Sequence, residues 1–580
     1  MFIPTTSEEV SNLGWGQLDV ILVTGDTYID SPHTGVAVIG KILLSARGGS
    51  AFGGKAGYKV GIIAQPDVSS EIDIKRLGEP SLFWGVTSGC VDSMVANYTA
   101  TKKKRKQDDF TPGGENNRRP DRAVIAYSNL IRRFFKNTKP IVLGGIEASL
   151  RRLTHYDYWD NEVRRSVLFD AKADFLIYGM GEKAVLELTE KLKNNESPEN
   201  VCGICYILQT PKDGYELLPS YEDVRTDPTI GRQKFTEMFQ TFYSNNDPLT
   251  AKGLCQKQDT RYLVQNPPQN NLTSEELDEI YNLDYERDTH PYYKKNGPVR
   301  ALETIRFSIT THRGCFGECN FCSIAVHQGT TVISRTEKSI LEEAEKITKL
   351  PYFKGYILDV GGPSANMYGM ACDKKLVLGH CKNKRCLYPG ICGELDISHK
   401  KLMELLIKLR ALPGVKKVFV ASGIRHDLVL EDKNYGLAYL KELVLHHISG
   451  QIKVAPEHTE HSVLSKMGKP DKSYLLAFKK LFDDLNEKYD RNQFLTYYFI
   501  AAHPGCSIWE MKKLKQFALK ELKLLPEQTQ IFTPTPSTYS TLMYYTGQDP
   551  LTKEDVFVER DTNKKGAQKE IILFSKHRKV

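Results

Sequence analysis

The stretch THRGCFGECNFCSIAVHQG, residues 311–329, places three thiols in one short segment of the chain. Cys315, Cys319 and Cys322 have the spacing Cys-x3-Cys-x2-Cys, and the next cysteine is Cys372. A structural zinc site is closed by four ligands, whereas three protein ligands leave a coordination position open for a substrate or cofactor. Thiolates are soft ligands that favour iron–sulfur clusters and zinc. The spacing therefore predicts a metal centre with an open position, and an iron–sulfur cluster in particular.

A zinc site that recruits a distant fourth ligand is the alternative interpretation of this stretch. His312 and His327 flank the cysteines and are the candidate fourth ligands. Gly314 and Gly317 favour the cluster, because glycine lets the backbone fold tightly around a bulky group and present N–H donors to its sulfurs.

The composition is that of a globular protein with more than one domain. The chain has 580 residues, of which 40% are hydrophobic and 26% are charged, and this length exceeds what one ordinary core supports. No apolar run is long enough to predict a membrane span, and the first residues lack a signal-peptide pattern, so we expect a cytoplasmic protein. Twelve cysteines in such a protein favour metal binding or redox chemistry over disulfides.

The formal net charge is +8, and two basic runs, at residues 102–106 and 576–579, carry much of the excess. Runs of this kind usually lie in solvated loops or tails. No aromatic residues are interleaved with them, so nucleic-acid binding is not supported, although a zinc-containing RNA-binding protein is kept as the alternative function.

Short apolar strands that end in glycines and lead into helices repeat along the first third of the chain and again after residue 301. This alternation predicts an α/β fold with a parallel N-terminal sheet, followed by a partial βα barrel. We predict an N-terminal α/β domain at 1–210, an irregular connecting segment at 211–300, the barrel at 301–525 and an extension with a basic tail at 526–580. Residues 47–55 are interpreted as a flexible surface insertion.

The carboxyl ends of parallel strands hold the ligands in such folds. The three-cysteine stretch follows the first strand of the barrel, and Gly361, Gly362 and Pro363 end the second. His426, His458 and His503 follow later strands and are either substrate-side acids and bases or hydrogen-bonded structural residues. No side chain is assigned a catalytic role from the sequence.

A second group of cysteines follows the glycine motif. Its members are Cys372, Cys381, Cys386 and Cys392. Four thiols within a short segment predict a second metal site, with zinc or an auxiliary iron–sulfur cluster bound. The alternative is that some of these side chains are simply buried.

Longer motifs carry a resemblance to a known family. They lie at residues 18–43, 58–67, 140–161, 308–329, 359–370 and 453–470. Together with Phe321 before the last cysteine of the loop, they resemble the YgiQ-type radical S-adenosylmethionine proteins over about residues 4 to 550. The fold implied is a cobalamin-binding-like α/β domain followed by a radical S-adenosylmethionine barrel.

This resemblance implies the chemistry as well. It implies a [4Fe–4S] cluster on Cys315, Cys319 and Cys322, with S-adenosylmethionine chelated at the vacant iron and cleaved to a 5′-deoxyadenosyl radical. Phe321 and residues 361–363 would contact the cofactor, and a flavodoxin or ferredoxin would donate the electron. The Asp-x-His-x-x-Gly signature of cobalamin proteins is absent, so we do not expect cobalamin, although binding without a histidine ligand is left open.

Overall fold

The computed structural model of the chain describes residues 1–45, 57–226, 229–526 and 529–573. These residues form two compact units, one of Met1–Thr99 with Lys103–Arg306 and one of Ala100–Lys102 with the described residues from Phe307 onward. The predicted insertion at 47–55 and the basic run at 576–579 lie outside the described residues. Within the described ranges, no helix is both long enough and apolar enough to cross a membrane.

The first unit is built around one large sheet with helices packed on it. Its strands are β1 (Val20–Thr24), β2 (Ile29–Asp30), β3 (Val60–Ala64), β4 (Phe83–Thr87), β5 (Ile141–Gly144), β6 (His155–Asp157), β7 (Glu162–Arg164), β8 (Phe175–Ile177), β9 (Ile204–Leu208), β10 (Glu216–Leu218), β11 (Leu254–Gln258), β12 (Arg261–Gln265) and β13 (Asp288–Thr289). Its helices are α1 (Ser7–Asn12), α2 (Gly35–Ser45), α3 (Ile72–Lys75), α4 (Ser93–Asn97), α5 (Ala123–Phe134), α6 (Gly145–Leu150), α7 (Val167–Asp170), α8 (Glu182–Lys193), α9 (Tyr221–Arg225), α10 (Ile230–Ser244), α11 (Ser274–Asn282), α12 (Pro291–Lys294) and α13 (Ala301–Ile305).

The large sheet has nine strands in the order β10-β11-β12-β9-β8-β5-β4-β1-β3. Strands β3, β1, β4, β5 and β8 run parallel to one another. Numbered along the chain, these five have the order 2-1-3-4-5 of a doubly wound sheet. The strands β1 (VILVT) and β3 (VGIIA) are buried along their whole length, as expected where helices cover both faces of a sheet. The predicted parallel N-terminal sheet is confirmed.

The expectation that residues 211–300 form an irregular connection is wrong. This segment contributes β10, β11 and β12 to the edge of the sheet, with β11 and β12 antiparallel, as well as helices α9 to α12. The strand β11 buries Gln256 and Gln258, whose side chains hydrogen bond to each other at 2.9 Å. Because two of the three residues on the face of Leu254, Gln256 and Gln258 are amides, the strand lacks the hydrophobic alternation that would have revealed it.

The second unit alternates strands with helices. Its strands are β14 (Ser308–Thr310), β15 (His312–Arg313), β16 (Ile333–Ser334), β17 (Tyr356–Ile357), β18 (Asp359–Gly361), β19 (Lys417–Val418), β20 (Gln451–Glu457), β21 (Phe494–Ala501) and β22 (Gln530–Ile531). Its helices are α14 (Ile324–His327), α15 (Glu337–Thr348), α16 (Asp373–Leu378), α17 (Lys400–Ala411), α18 (His426–Glu431), α19 (Gly436–Glu442), α20 (His461–Met467), α21 (Lys472–Lys488), α22 (Ile508–Phe517), α23 (Tyr539–Thr546) and α24 (Thr562–Ile572).

The barrel strands of this unit pair in parallel, whereas the short strands β15 and β16 form a separate antiparallel pair. The parallel pairs are β14–β18, β17–β19, β20–β21 and β21–β22. The backbone bond from Val360 N to Phe419 O, at 3.0 Å, and a parallel bridge between Ile424 and Val454 connect the pairs. Parallel strands joined by crossover helices give the partial βα barrel that the sequence predicts, and the α/β fold class is confirmed. The boundaries that divide the chain into four parts, at residues 210, 300 and 525, stay a prediction.

The helices of the barrel stabilise it through one apolar stripe each. On α17, Leu405 is fully buried in the core beneath the strands, whereas Ile407 on the same helix keeps 37% of its surface exposed.

Replacing Leu405 by alanine should destabilise the second unit far more than replacing Ile407 by alanine. Removing a fully buried leucine side chain typically costs about 2–5 kcal/mol, because a cavity remains, whereas substitutions at exposed positions usually change stability by about 0.5 kcal/mol or less. Denaturant unfolding of the two full-length variants measures the difference. Equal shifts of the unfolding midpoint would contradict the assigned packing of α17.

Candidate metal centre

The three predicted ligands lie in one loop at the carboxyl end of the first barrel strand. Cys315, Cys319 and Cys322 are all half-buried free cysteines. The loop leaves β14, and its base is closed by the antiparallel pair β15–β16, in which His312 lies opposite Ser334. The short helix α14 follows the last cysteine. The position of the loop is the one that the sequence predicts.

Glycines determine how the backbone passes the sulfurs. Gly314 has a φ of +78°, and a Cβ atom there would lie 2.0 Å from the backbone oxygen of Thr331. A Cβ atom on Gly317 would lie 3.2 Å from Sγ of Cys315 and 3.7 Å from Sγ of Cys319. The missing side chain at position 317 thus leaves the backbone in direct contact with two of the three thiols.

Hydrogen bonds reach the sulfurs from the backbone and from one side chain. The N–H of Gly317 donates to Sγ of Cys315 at 3.3 Å, and Nη1 of Arg425 donates to Sγ of Cys319 at 3.8 Å. The backbone of Ile324 hydrogen bonds to Cys322. Each sulfur therefore has a donor, which is the arrangement that stabilises thiolate ligands.

Asn320 anchors the middle of the loop to the neighbouring helix. Its backbone N–H donates to Met467 O at 2.9 Å, and its side chain donates to Lys466 O at 2.8 Å. Its own backbone oxygen accepts a bond of 2.9 Å from the N–H of Ser540. These bonds fix the loop between the cysteines, so the three thiols keep a defined orientation.

Burial raises the pKa of the Cys322 thiol to about 12 and also raises that of Cys315. The free thiols of Cys315 and Cys322 would therefore be protonated at neutral pH. Metal binding removes those protons, since the thiolate is the ligand. The three thiols, the glycine that contacts two of them and the N–H donors to sulfur together fit an iron–sulfur cluster.

The zinc interpretation gains no support from the two flanking histidines. His312 is fully buried, its Nδ1 lies 2.9 Å from the Thr311 hydroxyl, and burial lowers its pKa to about 4. His327 is the half-buried last residue of α14. Within the described part of the chain, no three His, Cys, Asp or Glu side chains converge closely enough to hold a single metal ion.

The glycine motif lies next to the cysteine loop. Strand β18 pairs with β14 so that Gly361 is opposite Thr310, and Thr311 N donates to Gly361 O at 2.8 Å. A Cβ atom on Gly362 would lie 2.6 Å from the imidazole of His312. The pairing brings residues 361–363 to the same sheet edge as the cysteines.

Phe321 packs against the barrel core and meets the ring of His503 edge to face, with centroids 6.2 Å apart. His503 in turn has Nε2 at 2.6 Å from the Ser540 hydroxyl, and His458 accepts a bond from Glu460 N. Burial lowers the pKa of both histidines to about 3. These contacts favour the structural interpretation of His458 and His503. His426 is also buried, against Phe478, with its pKa lowered to about 4.

Four charged residues beside the loop were missed by the sequence reasoning. Arg425 and Asp427 form a buried ion pair, and Lys469 Nζ lies 3.8 Å from Oε1 of Glu457. Glu457 ends β20 with a φ of +67°, a backbone conformation that is costly outside glycine and often found at functional sites. Its pKa is raised by burial. The signal available was position alone: Glu457 ends strand β20, and Arg425 and Asp427 lie at the start of α18, in the part of such a barrel where sites form.

Three of the four cysteines in the second group share an apolar cluster with Cys315 of the first group. Cys386 and Cys392 pack against the apolar cluster that also contacts Cys315, and Cys372 is buried within that cluster. Lys375 Nζ lies 3.9 Å from Sγ of Cys386. Cys381 is half-buried. A metal at these four cysteines stays a prediction.

Comparison with known proteins identifies relatives over the whole chain. A family model described as Radical SAM N-terminal matches residues 2–308, and one described as Domain of unknown function (DUF3362) matches residues 527–578. The chain is 57% identical to a UPF0313 protein of Fusobacterium nucleatum, over 98% of each chain. It is 52% identical to a UPF0313 protein of Thermotoga neapolitana, over 99% of each.

Two solved structures are similar at lower identity. One is the radical S-adenosylmethionine methyltransferase TsrM from Kitasatospora setae, with cobalamin and a [4Fe–4S] cluster bound: 15% identity, 90% of this chain, 77% of that chain and a TM-score of 0.47. The other is the cobalamin-dependent S-adenosylmethionine radical enzyme OxsB, with aqua-cobalamin and S-adenosylmethionine bound: 14% identity, 92% of this chain, 55% of that chain and a TM-score of 0.48.

These structures contradict the expectation that cobalamin is not used, because both similar chains hold cobalamin. That expectation depended on one signature motif, which represents only one way of attaching the cofactor. It is wrong and is withdrawn.

Gly314→Ala should greatly reduce the iron that the protein takes up, whereas Gly329→Ala should have a much smaller effect. Both glycines have positive φ, but only at Gly314 would the added Cβ meet a backbone oxygen; at Gly329 nothing lies within 4 Å. Iron and sulfide analysis after anaerobic reconstitution measures uptake. Equal iron content in the two variants would show that the close approach at Gly314 does not shape the loop.

Proposed function

The chain belongs to the Radical SAM N-terminal family, and on this basis we propose that it holds a [4Fe–4S] cluster on Cys315, Cys319 and Cys322 and acts through S-adenosylmethionine. Family membership makes the chain an enzyme of the radical S-adenosylmethionine class. We extend this assignment to the YgiQ-type group and to a cytoplasmic location. The electron donor that we propose is a small carrier such as a flavodoxin or ferredoxin.

The observation that carries the proposal is the geometry of the cysteine loop. Three thiols, each with a hydrogen-bond donor, share one loop in which Gly317 brings the backbone within contact of two sulfurs. Three protein ligands on a cubane leave one iron without a protein ligand. When bound, such a cluster supplies one electron to S-adenosylmethionine, whose reductive cleavage yields a 5′-deoxyadenosyl radical.

The residues of this chain would orient the cofactor and exclude water. Gly361, Gly362 and Pro363 lie at the carboxyl end of β18, beside the cysteine loop, where backbone groups of the half-buried Gly362 and Pro363 would contact the amino group of S-adenosylmethionine. Phe321 packs on the barrel core and thereby holds the last turn of the loop against the strands. Asn320 ties the loop to the Met467 end of α20. These contacts would position the reacting bond in a largely dry site.

The alternative of a zinc-containing RNA-binding protein is favoured by no observation in the part of the chain that the structure describes. Of the basic run 102–106, Arg105 donates to the backbone oxygens of Val95 and Tyr98. This contact gives the arginine a local structural role.

Reduced, reconstituted protein should convert S-adenosylmethionine to 5′-deoxyadenosine, and Cys319→Ser should lower this to background because one cluster ligand is lost. Cys202→Ser is the matched control, since Cys202 is a half-buried free cysteine of the first unit, outside the loop. Chromatography of anaerobic reactions with dithionite measures the nucleoside. Wild-type protein that binds about four irons per chain yet forms no nucleoside would refute the proposed function.

If the second cysteine group binds zinc or an auxiliary cluster, Cys381→Ser with Cys392→Ser should remove that metal and leave the iron of the first centre in place. Both side chains are only half-buried, so their loss should be tolerated better than that of buried Cys372. Metal and sulfide analysis under argon compares the double variant with wild type. Unchanged metal content would assign these cysteines to packing.

A further inference from the structure

Arg425 is a charged side chain that donates directly to a sulfur of the cysteine loop. It precedes α18, and its guanidinium is buried. Nη1 lies 3.8 Å from Sγ of Cys319 and only 3.1 Å from the point that a Cβ of Gly317 would occupy. The guanidinium thus lies against the same face of the loop as the sulfurs of Cys315 and Cys319.

The position of this guanidinium is fixed by two other side chains. Asp427 accepts from Nε of Arg425 at 2.8 Å and also from Nη2, which makes a two-pronged ion pair. The Asn366 side chain bonds both the backbone N–H and the backbone oxygen of Arg425, at 2.8 and 3.0 Å. Because the fork and the backbone are both held, Nη1 cannot turn away from Cys319 at low cost.

The guanidinium also remains charged. Burial by itself would lower the pKa of Arg425, but the Asp427 carboxylate outweighs it and the pKa is raised. Burial would likewise raise the pKa of Asp427, but Arg425 holds it below its usual range. The charged Arg425 therefore donates through Nη1 to Cys319, a predicted cluster ligand. Its counter-anion, Asp427, binds the other side of the guanidinium through Nε and Nη2.

We propose that Arg425 is a positioning residue that raises the reduction potential of the cluster through its N–H···S bond to Cys319, and that Asp427 sets how far the potential is raised. This inference rests on the proposed function, because it concerns the cluster that the three cysteines would hold. Hydrogen bonds to sulfur and nearby charge are two of the factors that set the potential of an iron–sulfur cluster.

The direction of each effect follows from charge. Reduction makes the cluster one unit more negative, so a cation hydrogen bonded to a ligand stabilises the reduced state more than the oxidised state. Asp427 partly cancels that cation. Two other charged pairs lie nearby, Lys469 with Glu457 and Arg385 with Glu318, and each combines opposite charges 3.8 Å apart. Removing the charge of Arg425 should therefore lower the potential, and removing the charge of Asp427 should raise it.

The test compares Arg425→Gln and Asp427→Asn with Arg410→Gln in anaerobically reconstituted full-length protein. Arg410 lies on α17, is more exposed and donates to Glu442 at 3.0 Å, so its removal deletes an equal charge in the same unit away from the cysteines. Midpoint potentials are measured by redox titration followed by electron paramagnetic resonance, without S-adenosylmethionine. We expect a decrease for Arg425→Gln that corresponds to about a tenfold change in the reduction equilibrium, or about 59 mV, an increase for Asp427→Asn, and no change for Arg410→Gln.

Opposite shifts for the two variants support the proposal, whereas shifts of the same sign, or none with full cluster loading, overturn it. If Arg425→Gln does not take up iron, Arg425→Lys takes its place, because it keeps the charge but lacks the fork held by Asp427. A lower potential for that variant supports a role for the directed N–H···S bond, and a wild-type potential overturns that role. If wild-type protein forms no cluster, the proposed function itself fails and this inference fails with it.

Discussion

The parallel pairing of β14 with β18 is the interaction on which the candidate site depends. It places Thr310 opposite Gly361, so both strands end at the same edge of the barrel. One strand continues into the cysteine loop and the other into the glycine motif, and Gly362 passes so close to His312 that a side chain there would collide with the ring. This pairing is what brings the cysteine loop and the glycine motif, which are separate in the chain, together at one site. The helices α15 and α17 stabilise it by covering the strands with apolar side chains.

Two buried ion pairs lie at this same edge of the barrel. Arg425 with Asp427 and Lys469 with Glu457 are ion pairs removed from water, where desolvation costs several kcal/mol per ion unless geometry and hydrogen bonds offset it. Glu457 adds a left-handed backbone conformation. Replacing a buried ion pair by apolar residues of similar size often leaves a folded protein no less stable. Their presence beside three thiols is therefore better explained by the needs of a charged metal centre than by stability.

The parts of the fold that could be predicted from the sequence are those with regular local patterns. The helices α15, α17 and α21 follow the apolar periodicity of their own residues, and the buried strands β1 and β3 read as continuous apolar runs. Strand β11 was missed because the buried side chains of Gln256 and Gln258 interrupt its apolar pattern after Leu254. The exclusion of cobalamin failed for a related reason, since the absence of one motif says little about a site made by the whole fold.

The sequence by itself determined the three-thiol loop with its glycines, the alternation of strands and helices, and hence the class of fold and chemistry. These features depend on residues close together in the chain, where covalent spacing limits the geometry. Only the tertiary structure decided that Arg425 meets Cys319, that Gly362 meets His312, and that β9, β11 and β12 extend the sheet by antiparallel pairing. Such contacts join residues far apart in the chain, and the free energy that selects them is spread over many packed side chains and sheet hydrogen bonds, so no short stretch of sequence encodes them.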